Sequence, residues 1–480
     1  MSDDPSVDVG MSRDEGVARH VGVARDVGVA RDVAVARRAV LATSTGTFVE
    51  SFDLALYGYF AVILAGQFFP ADDPTAALLA TFGIFALGFA ARPFGGLVFG
   101  HVGDRLGRRT AVVASILLMA AATVAISVLP TYAQVGTLAS ILLLICRVLQ
   151  GLSIGGEVAG GNVFVLEHAT PRWSGRAVGA NLAAGTLGLA SASALSLLLA
   201  TALDGAALAS WGWRLPFALA APLGLVGVYL RLRVTDTPAF RRLLERPAAR
   251  SGPAGPTRPR RFPLGDAVRK AWRGMLVFAG FAAVVLLGSY LLIGYLPSYL
   301  TTVAGLSTTE TFAANLAAAA ALGAGALGGG YLLDRTSPRL AAAVCAVGVV
   351  ATVVPGFVLV QRGTLGTAIL GTVTWAVFLG VGNVVGASLS LHLFAVPIRY
   401  TATALALNLT GAVFAGTGPY LSTWLVDRTG NPVAPAIYLT AVGVLGLLVA
   451  GYGLRARAPA APESAAGGRE HDVGPGVAPS

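Results

Sequence analysis

Gly100-His-Val-Gly-Asp104-Arg105-Leu-Gly107-Arg108-Arg109 and Gly330-Tyr-Leu-Leu-Asp334-Arg335-Thr-Ser-Pro-Arg339 are two versions of one pattern, Gly-x-x-x-Asp-Arg followed by further cations, one in each half of the chain. Each follows the second apolar stretch of its half. The glycines allow a tight turn, the aspartate can cap a neighbouring helix N-terminus, and the arginines can pair with carboxylates across a helix interface. One short loop recurring at the same place in two halves is the sequence sign of two related helical bundles, an arrangement typical of secondary transporters that rock around a site near the bilayer midplane.

The stretches around these loops decide the fold class. Of 480 residues, 55% are hydrophobic and only 12% charged, and mean hydropathy is +0.72; soluble domains carry roughly a quarter charged residues. The apolar segments run to about 20 residues or more without period-two alternation, which makes them membrane helices rather than barrel strands. About twelve are expected, over 38–62, 76–100, 110–130, 137–167, 176–203, 214–232, 274–300, 310–333, 339–360, 365–393, 401–426 and 433–454. The longest polar interruption holds Pro238, Pro247, Pro253, Pro256, Pro259 and Pro263 and divides the spans six and six. The expectation is an all-α integral membrane protein with twelve transmembrane helices in two six-helix bundles. The parts are an N-terminal tail (1–37), a first bundle (38–232), a linker (233–273), a second bundle (274–457) and a C-terminal tail (458–480).

The net charge of +10 would suit nucleic acid, but its placement argues otherwise. Arg37 and Arg38, Arg105 to Arg109, Arg172 and Arg176, the stretch 231–273, Arg335 and Arg339, Arg399, and Arg455 and Arg457 fall on alternate loops. The opposite loops carry Asp72, Asp73, Asp204 and Glu310, with few cations beyond Arg214, Arg362 and Arg428. The positive-inside rule then places both termini in the cytoplasm of a multi-pass protein of the cell (plasma or inner) membrane, with the bilayer and no nucleic acid as partner. Trp173, Trp211, Trp213 and Trp272 stand near helix ends, where an interfacial belt would hold them. Cys146 and Cys345 lie in separate apolar segments, so neither a disulfide framework nor a metal site follows. No cleavable signal peptide is evident. The six-residue repeat over 16–38 and the Pro-, Ala- and Gly-rich end from about 458 read as weakly ordered.

Two carboxylates stand inside the first apolar stretch, in Thr47-Phe-Val-Glu50-Ser-Phe-Asp53-Leu-Ala-Leu-Tyr57-Gly58. A charge at mid-bilayer costs about 2.5 to 3.5 kcal/mol, so such residues face a protein interior or a water-filled cavity. Helical spacing puts Glu50, Asp53 and Tyr57 on one face. At about 1.5 Å per residue, Glu50 in span one and Arg92 in span two differ by about 3 Å in height, so the two can pair. Arg147 lies about ten residues into span four from the outside, with Gln150 on the same face at i+3. Desolvation favours a neutral carboxylic acid, whereas a neighbouring arginine favours the carboxylate. Alternation between those environments makes Asp53 or Glu50 the candidate for a coupling proton, with Arg92 or Arg147 receiving an anionic substrate group. The competing reading is a permanent buried ion pair that only joins helices. The second half supplies Tyr290, Tyr295, Asn315, Asn383 and Asn408 in place of charge, as hydrogen-bonding contacts or helix-packing glue.

Several matches carry no chemistry. Gly151-Leu-Ser-Ile-Gly155 and Gly323-Ala-Gly325-Ala-Leu-Gly328 fit hydrolase and dinucleotide patterns, but both lie inside apolar helices, where close packing explains them. No Walker A loop and no metal-ligand spacing is present, so no cofactor, no metal and no enzyme activity is expected.

The Gly100 to Arg109 loop resembles the signature loop of the major facilitator superfamily, in which it latches one conformation. The resemblance implies a gating role for Gly100, Asp104, Arg105, Gly107, Arg108 and Arg109, for their repeat counterparts Asp334 and Arg335, and for Glu157. Further stretches resemble the metabolite:proton symporter branch, which includes carriers of α-ketoglutarate, citrate, shikimate and proline or betaine. They are the Thr47 to Gly58 segment, Ala91-Arg92-Pro93-Phe94-Gly95-Gly96, Arg147-Val-Leu-Gln150-Gly151-x-x-x-Gly155-Gly156-Glu157, Gly212-Trp213-Arg214-Leu215-Pro216-Phe217 and Pro397-Ile-Arg399-Tyr400-Thr401. Ser51-Phe52, Thr235-Asp236-Thr237-Pro238 and His392 depart from that branch's usual residues. The expected function is proton-coupled symport of a small organic acid or zwitterion by alternating access, with Tyr57, Arg92, Arg147, Gln150, Tyr290, Asn383 and Asn408 toward the substrate and Glu50 and Asp53 toward the proton. A monomer is expected. A uniporter or exporter of the same fold, or a receptor that transports nothing, are the alternatives. A carboxylate is favoured over betaine or proline, since two intramembrane arginines suit anions and the osmosensing carriers have a coiled-coil tail that this sequence does not show.

Overall fold

A computed structural model describes residues 44–70, 72–106, 108–168, 174–233, 264–394 and 396–455. Helix α1 (Ser44–Tyr59) bends by 61° into a short continuation, Ala61–Phe68. Then follow α2 (Pro74–Leu106), α3 (Arg108–Val128), α4 (Thr137–His168), α5 (Ser174–Ala202) and α6 (Arg214–Arg233). In the second half α7 joins Leu264–Tyr290, a π segment Leu291–Tyr295 and Leu296–Thr302. After it come α8 (Thr308–Arg335), α9 (Pro338–Val360) and α10 (Leu365–Leu393). The eleventh, α11, joins Val396–Thr410, a π segment Gly411–Gly416 and Gly418–Thr429, and α12 is Ala434–Arg455. Among the described residues, eight helices are long and apolar enough to cross a bilayer alone, and bent α1 makes a ninth span.

Lipid tails are as apolar as leucine, so helices in a membrane are held together by close packing and hydrogen bonds more than by water exclusion. Small residues provide the close packing. A Cβ placed on Gly155 of α4 would lie 1.8 Å from the Arg92 carbonyl oxygen of α2, and one on Gly325 of α8 would lie 2.0 Å from the Val377 oxygen of α10. Both glycine patterns set aside as enzyme motifs are therefore helix contacts. Within the halves α2 packs on α4, α3 on α6, α8 on α10, α9 on α10 and α7 on α12; between them α5 packs along α8 and α2 against α11.

The polar flank 264–273, expected in the linker, is helical and starts α7 early. Most of the Gly100 to Arg109 stretch is helical too: α2 runs to Leu106 and α3 begins at Arg108. Trp213 departs from the interfacial belt. It is fully buried, edge-on to Phe68 and Phe217 at 5.8 and 6.0 Å between centroids, while Trp211 and Trp272 are half exposed. Both cysteines are free and buried. Trp173, the 1–37 and 458–480 tails, the 16–38 repeat and linker residues 234–263 lie outside the described residues.

Candidate functional site

Asp53 of α1 is 5% exposed and its Oδ2 accepts a hydrogen bond from Thr123 Oγ1 of α3 at 2.7 Å. Gln150 of α4 joins the group, its Nε2 donating to Thr123 Oγ1 at 2.6 Å and reaching Asp53 Oδ2 at 3.4 Å. Gln150 Oε1 in turn accepts from Arg147 Nη1 at 2.6 Å. The i+3 spacing read from sequence thus becomes a relay, in which the Gln150 amide stands between a carboxylate and a guanidinium. Arg147 is 4% exposed, and its Nε has no hydrogen-bond partner. Its charge rests on aromatic faces, with Cζ 4.2 Å from the Tyr57 ring centroid and 5.1 Å from that of Phe85. Such cation–π contact is worth about 2 kcal/mol or more when desolvated.

Arg92 behaves alike. Its Cζ lies 3.6 Å from the Phe89 centroid and 6.0 Å from that of Tyr290 on α7. The Glu50–Arg92 pair that matching depth allows does not form: among the described residues no carboxylate oxygen lies within 4 Å of an Arg92 nitrogen, and Glu50 lines a cleft with α3 and α6. Matching heights fix depth only, and the faces of α1 and α2 carry the two groups in different directions. Tyr57 is buried, and its hydroxyl donates to the Thr81 carbonyl at 2.9 Å.

Rings bridge the two bundles. Tyr57 stacks on Phe85 at 5.7 Å, Phe85 meets Phe89 at 5.1 Å, and Phe89 is edge-on to Tyr290 at 4.8 Å. Two arginines of the first half and a tyrosine of the second thus share one aromatic wall. Asn383 is farther along the second half, its Nδ2 donating to Ser289 Oγ at 3.2 Å and to the Leu379 carbonyl at 3.0 Å. Asn408 is half-buried on α11, one turn before the π segment. The structure therefore brings Asp53, Tyr57, Arg147 and Gln150 together and sets Arg92 and Tyr290 beside them. Thr123, Phe85 and Phe89 are additions the sequence reading lacked. A lone threonine within a long apolar helix and rings at i, i+4 before Arg92 were the available signals.

The residues expected to gate fall into two groups. Asp334 Oδ1 accepts from the Gly175 backbone N–H at 2.7 Å, and Oδ2 accepts from that of Arg176 at 3.2 Å and lies 3.4 Å from Arg176 Nε. The aspartate at the end of α8 thus caps the first turn of α5 in the other bundle, where its charge complements the helix dipole. Arg335 lies over Tyr331, 4.0 Å from the centroid, as does Arg176 at 5.1 Å. Gly100 and Arg105 are exposed at the end of α2. Gly107 and the side chains of Asp104, Arg108, Arg109 and Glu157 lie outside the described residues.

The family model described as Major Facilitator Superfamily matches residues 43–417. Among curated proteins, the glycine betaine/proline/ectoine/pipecolic acid transporter of Dickeya dadantii (strain 3937) is 34% identical over 420 residues, 86% of this chain and 82% of the relative. The proline/betaine transporter of Escherichia coli (strain K12) is equally similar, 34% over 420 residues with the same coverage. Among solved structures, the xylose transporter of E. coli in a partially occluded inward-open conformation superimposes with a TM-score of 0.66 at 16% identity, covering 88% of this chain and 98% of that one. A bacterial homologue of the human lysosomal transporter Spinster, inward-facing and unoccupied, gives 0.61 at 18% identity, with 89% and 99% covered. A buried acid–amide–guanidinium relay beside an aromatic wall that spans two helical bundles is thus carried on a shared transporter architecture, and the chain belongs to the major facilitator superfamily.

Proposed function

We propose that this carrier imports a small zwitterionic metabolite of the proline or betaine type together with a proton, by alternating access. The observation that supports it is Arg147: a buried guanidinium with an unpartnered nitrogen, walled by Tyr57 and Phe85 and tied through Gln150 to Asp53. Such a group suits a substrate carboxylate. The rings of Phe85, Phe89 and Tyr290 offer faces to the cationic end of a zwitterion, the chemistry by which quaternary ammonium groups are recognised. The names of the relatives move the substrate from the organic acid favoured by the sequence toward a zwitterion, which carries both charges.

In this reading Asp53 holds the coupling proton, and Glu50 lies one turn away on the same helix face. Tyr57, Arg92, Arg147, Gln150 and Tyr290 meet the substrate, with Asn383 and Asn408 contributing from the second bundle. The Gly100 to Arg109 segment, Glu157, and the Asp334–Arg335 segment gate the cytoplasmic side. The carrier works as a monomer in the cell membrane, with both termini cytoplasmic.

The test is uptake of labelled glycine betaine and proline into proteoliposomes, with and without an imposed inward proton gradient. The proposal expects accumulation above the outside concentration only with the gradient, and none for Arg147→Gln. Equal uptake without the gradient would mean a uniporter. Uptake of dicarboxylates in place of both zwitterions would overturn the substrate class.

A further inference from the structure

The Asp53 carboxylate has two sides. Oδ2 is held by Thr123 and approached by Gln150, toward Arg147 and the aromatic wall. Oδ1 has no partner although the residue is buried. Asp53 also lines a narrow cleft inside the first bundle, with Gly46 and Glu50 of α1, Ala120 of α3, and Gly224 and Gly227 of α6. None of the rings of the aromatic wall is among its lining residues.

The walls explain why the cleft exists and where it leads. Ala120 and Gly224 touch so closely that a Cβ at 224 would lie 2.6 Å from the Ala120 Cβ, which closes α3 onto α6 over the face of α1. Below that contact a Cβ at Gly227 would meet only the side chains of Ile116 and Val49, each at 3.9 Å, so no backbone crowds the position. From Asp53 to Gly46, about 1.5 Å per residue gives a path of about 10 Å, directed to the end of α1 that the arginine distribution places in the cytoplasm. Glu50 stands about one turn along it. The charged groups near Asp53 are Glu50 on α1, which lines the same cleft, and Arg147 on α4; Thr123 of α3 and Gln150 of α4 are its polar contacts, and the α6 lining is apolar.

We infer that this cleft is a water-filled proton exit separate from the substrate's path: Asp53 releases its proton through it to the cytoplasm, while the substrate leaves between the bundles on the other side of the carboxylate. The step balances simply. The O–H bond of the neutral acid breaks, a water in the cleft takes the proton as hydronium, and the carboxylate remains held by Thr123. Water fits between these walls. The inference rests on the proposed role of Asp53 in coupling.

Gly227→Leu fills the cleft without touching Arg147, Gln150 or the aromatic wall. In proteoliposomes of the full chain, glycine betaine counterflow, which exchanges substrate without net proton release, is expected to continue at the unsubstituted rate, while gradient-driven accumulation is lost. Full accumulation by Gly227→Leu would overturn the route. Asp53→Asn in the same vesicles separates the two claims. If Asp53→Asn still accumulates substrate, the coupling role itself fails; if it loses accumulation while Gly227→Leu keeps it, only the cleft fails. Should Gly227→Leu not fold, Gly227→Cys gives a second reading. Alkylation by a charged, membrane-impermeant thiol reagent from the cytoplasmic face supports a water-filled cleft, and reaction only with a lipid-soluble maleimide overturns it.

Discussion

At the residue scale the site depends on Gln150, because among the described residues it alone hydrogen-bonds both the acid group and the guanidinium. Gln150→Leu keeps the volume but removes the acceptor of Arg147 Nη1 and the donor to Thr123. Unsatisfied buried polar groups cost about 1–3 kcal/mol, more when charged. A lower melting temperature in detergent is therefore expected, with substrate transport lost as well; an unchanged melting curve would refute the relay. Arg147→Lys is the sharper probe. A lysine keeps the charge but lacks the planar fork that lies on Tyr57 and donates to Gln150. Binding of glycine betaine, measured by calorimetry, is expected to weaken at least about tenfold, roughly 1.4 kcal/mol. The inward location of Asp53 and Arg147 was legible in sequence because charge in an apolar helix is costly wherever it faces lipid. The partner of Asp53 was not, since depth along two helices leaves rotation undetermined, and rotation gave the carboxylate to Thr123 and put Arg92 on Phe89.

At the scale of elements, the contact between α2 and α4 is made by absent side chains. Gly155 meets the Arg92 carbonyl, and Gly95 meets that of Leu152, where a Cβ would lie 1.9 Å away. These positions also set the rotation that aims Arg92 and Arg147 toward the same wall. Gly155→Val is expected to abolish assembly, read as loss of the monodisperse peak in fluorescence-detected size exclusion. Gly328→Ala is the control: a Cβ there meets nothing within 4 Å. It is expected to stay within about 0.5 kcal/mol of the unsubstituted protein in thermal unfolding. Failure of both variants, or of neither, would contradict this account. Hydropathy located the helices because lipid contact demands apolar surface, but it reports where lipid lies and not where a helix begins. Hence α7 starts at Leu264, within a charged flank, and the 61° bend after Tyr59 was invisible. A close tertiary contact lies beside that bend. A Cβ on Gly58 would lie 2.6 Å from the Gly294 Cα in the π segment of α7, so two irregular helices meet backbone to backbone.

At the scale of the whole molecule, alternating access requires contacts between the bundles that hold one state and release the other. The Asp334 cap on α5 has that character. It joins the bundles through two backbone N–H groups and one guanidinium, at helix ends the arginine distribution assigns to the cytoplasm. The internal repeat of the sequence located this residue, and the structure supplies the reason for an acid there: only a carboxylate can accept both N–H groups, complement the α5 dipole and pair with Arg176. Asp334→Asn removes the charge and leaves the size. Losing the ion pair and the dipole interaction is worth about 1–2 kcal/mol, which shifts a two-state equilibrium about tenfold toward the form open at this end. Spin labels at Ala180→Cys on α5 and Leu340→Cys on α9 report the separation, and the two native cysteines are buried away from the label. The expected result is a longer component in the distance distribution for Asp334→Asn, reversed toward the native distribution by Asp334→Glu if the longer acid still reaches the α5 N-terminus. Gly175→Leu should give the same opening by a different cause, since a Cβ there would lie 2.6 Å from both Asp334 Oδ1 and the Gly330 carbonyl. Identical distributions in all four proteins would show that this contact does not hold the cytoplasmic side closed.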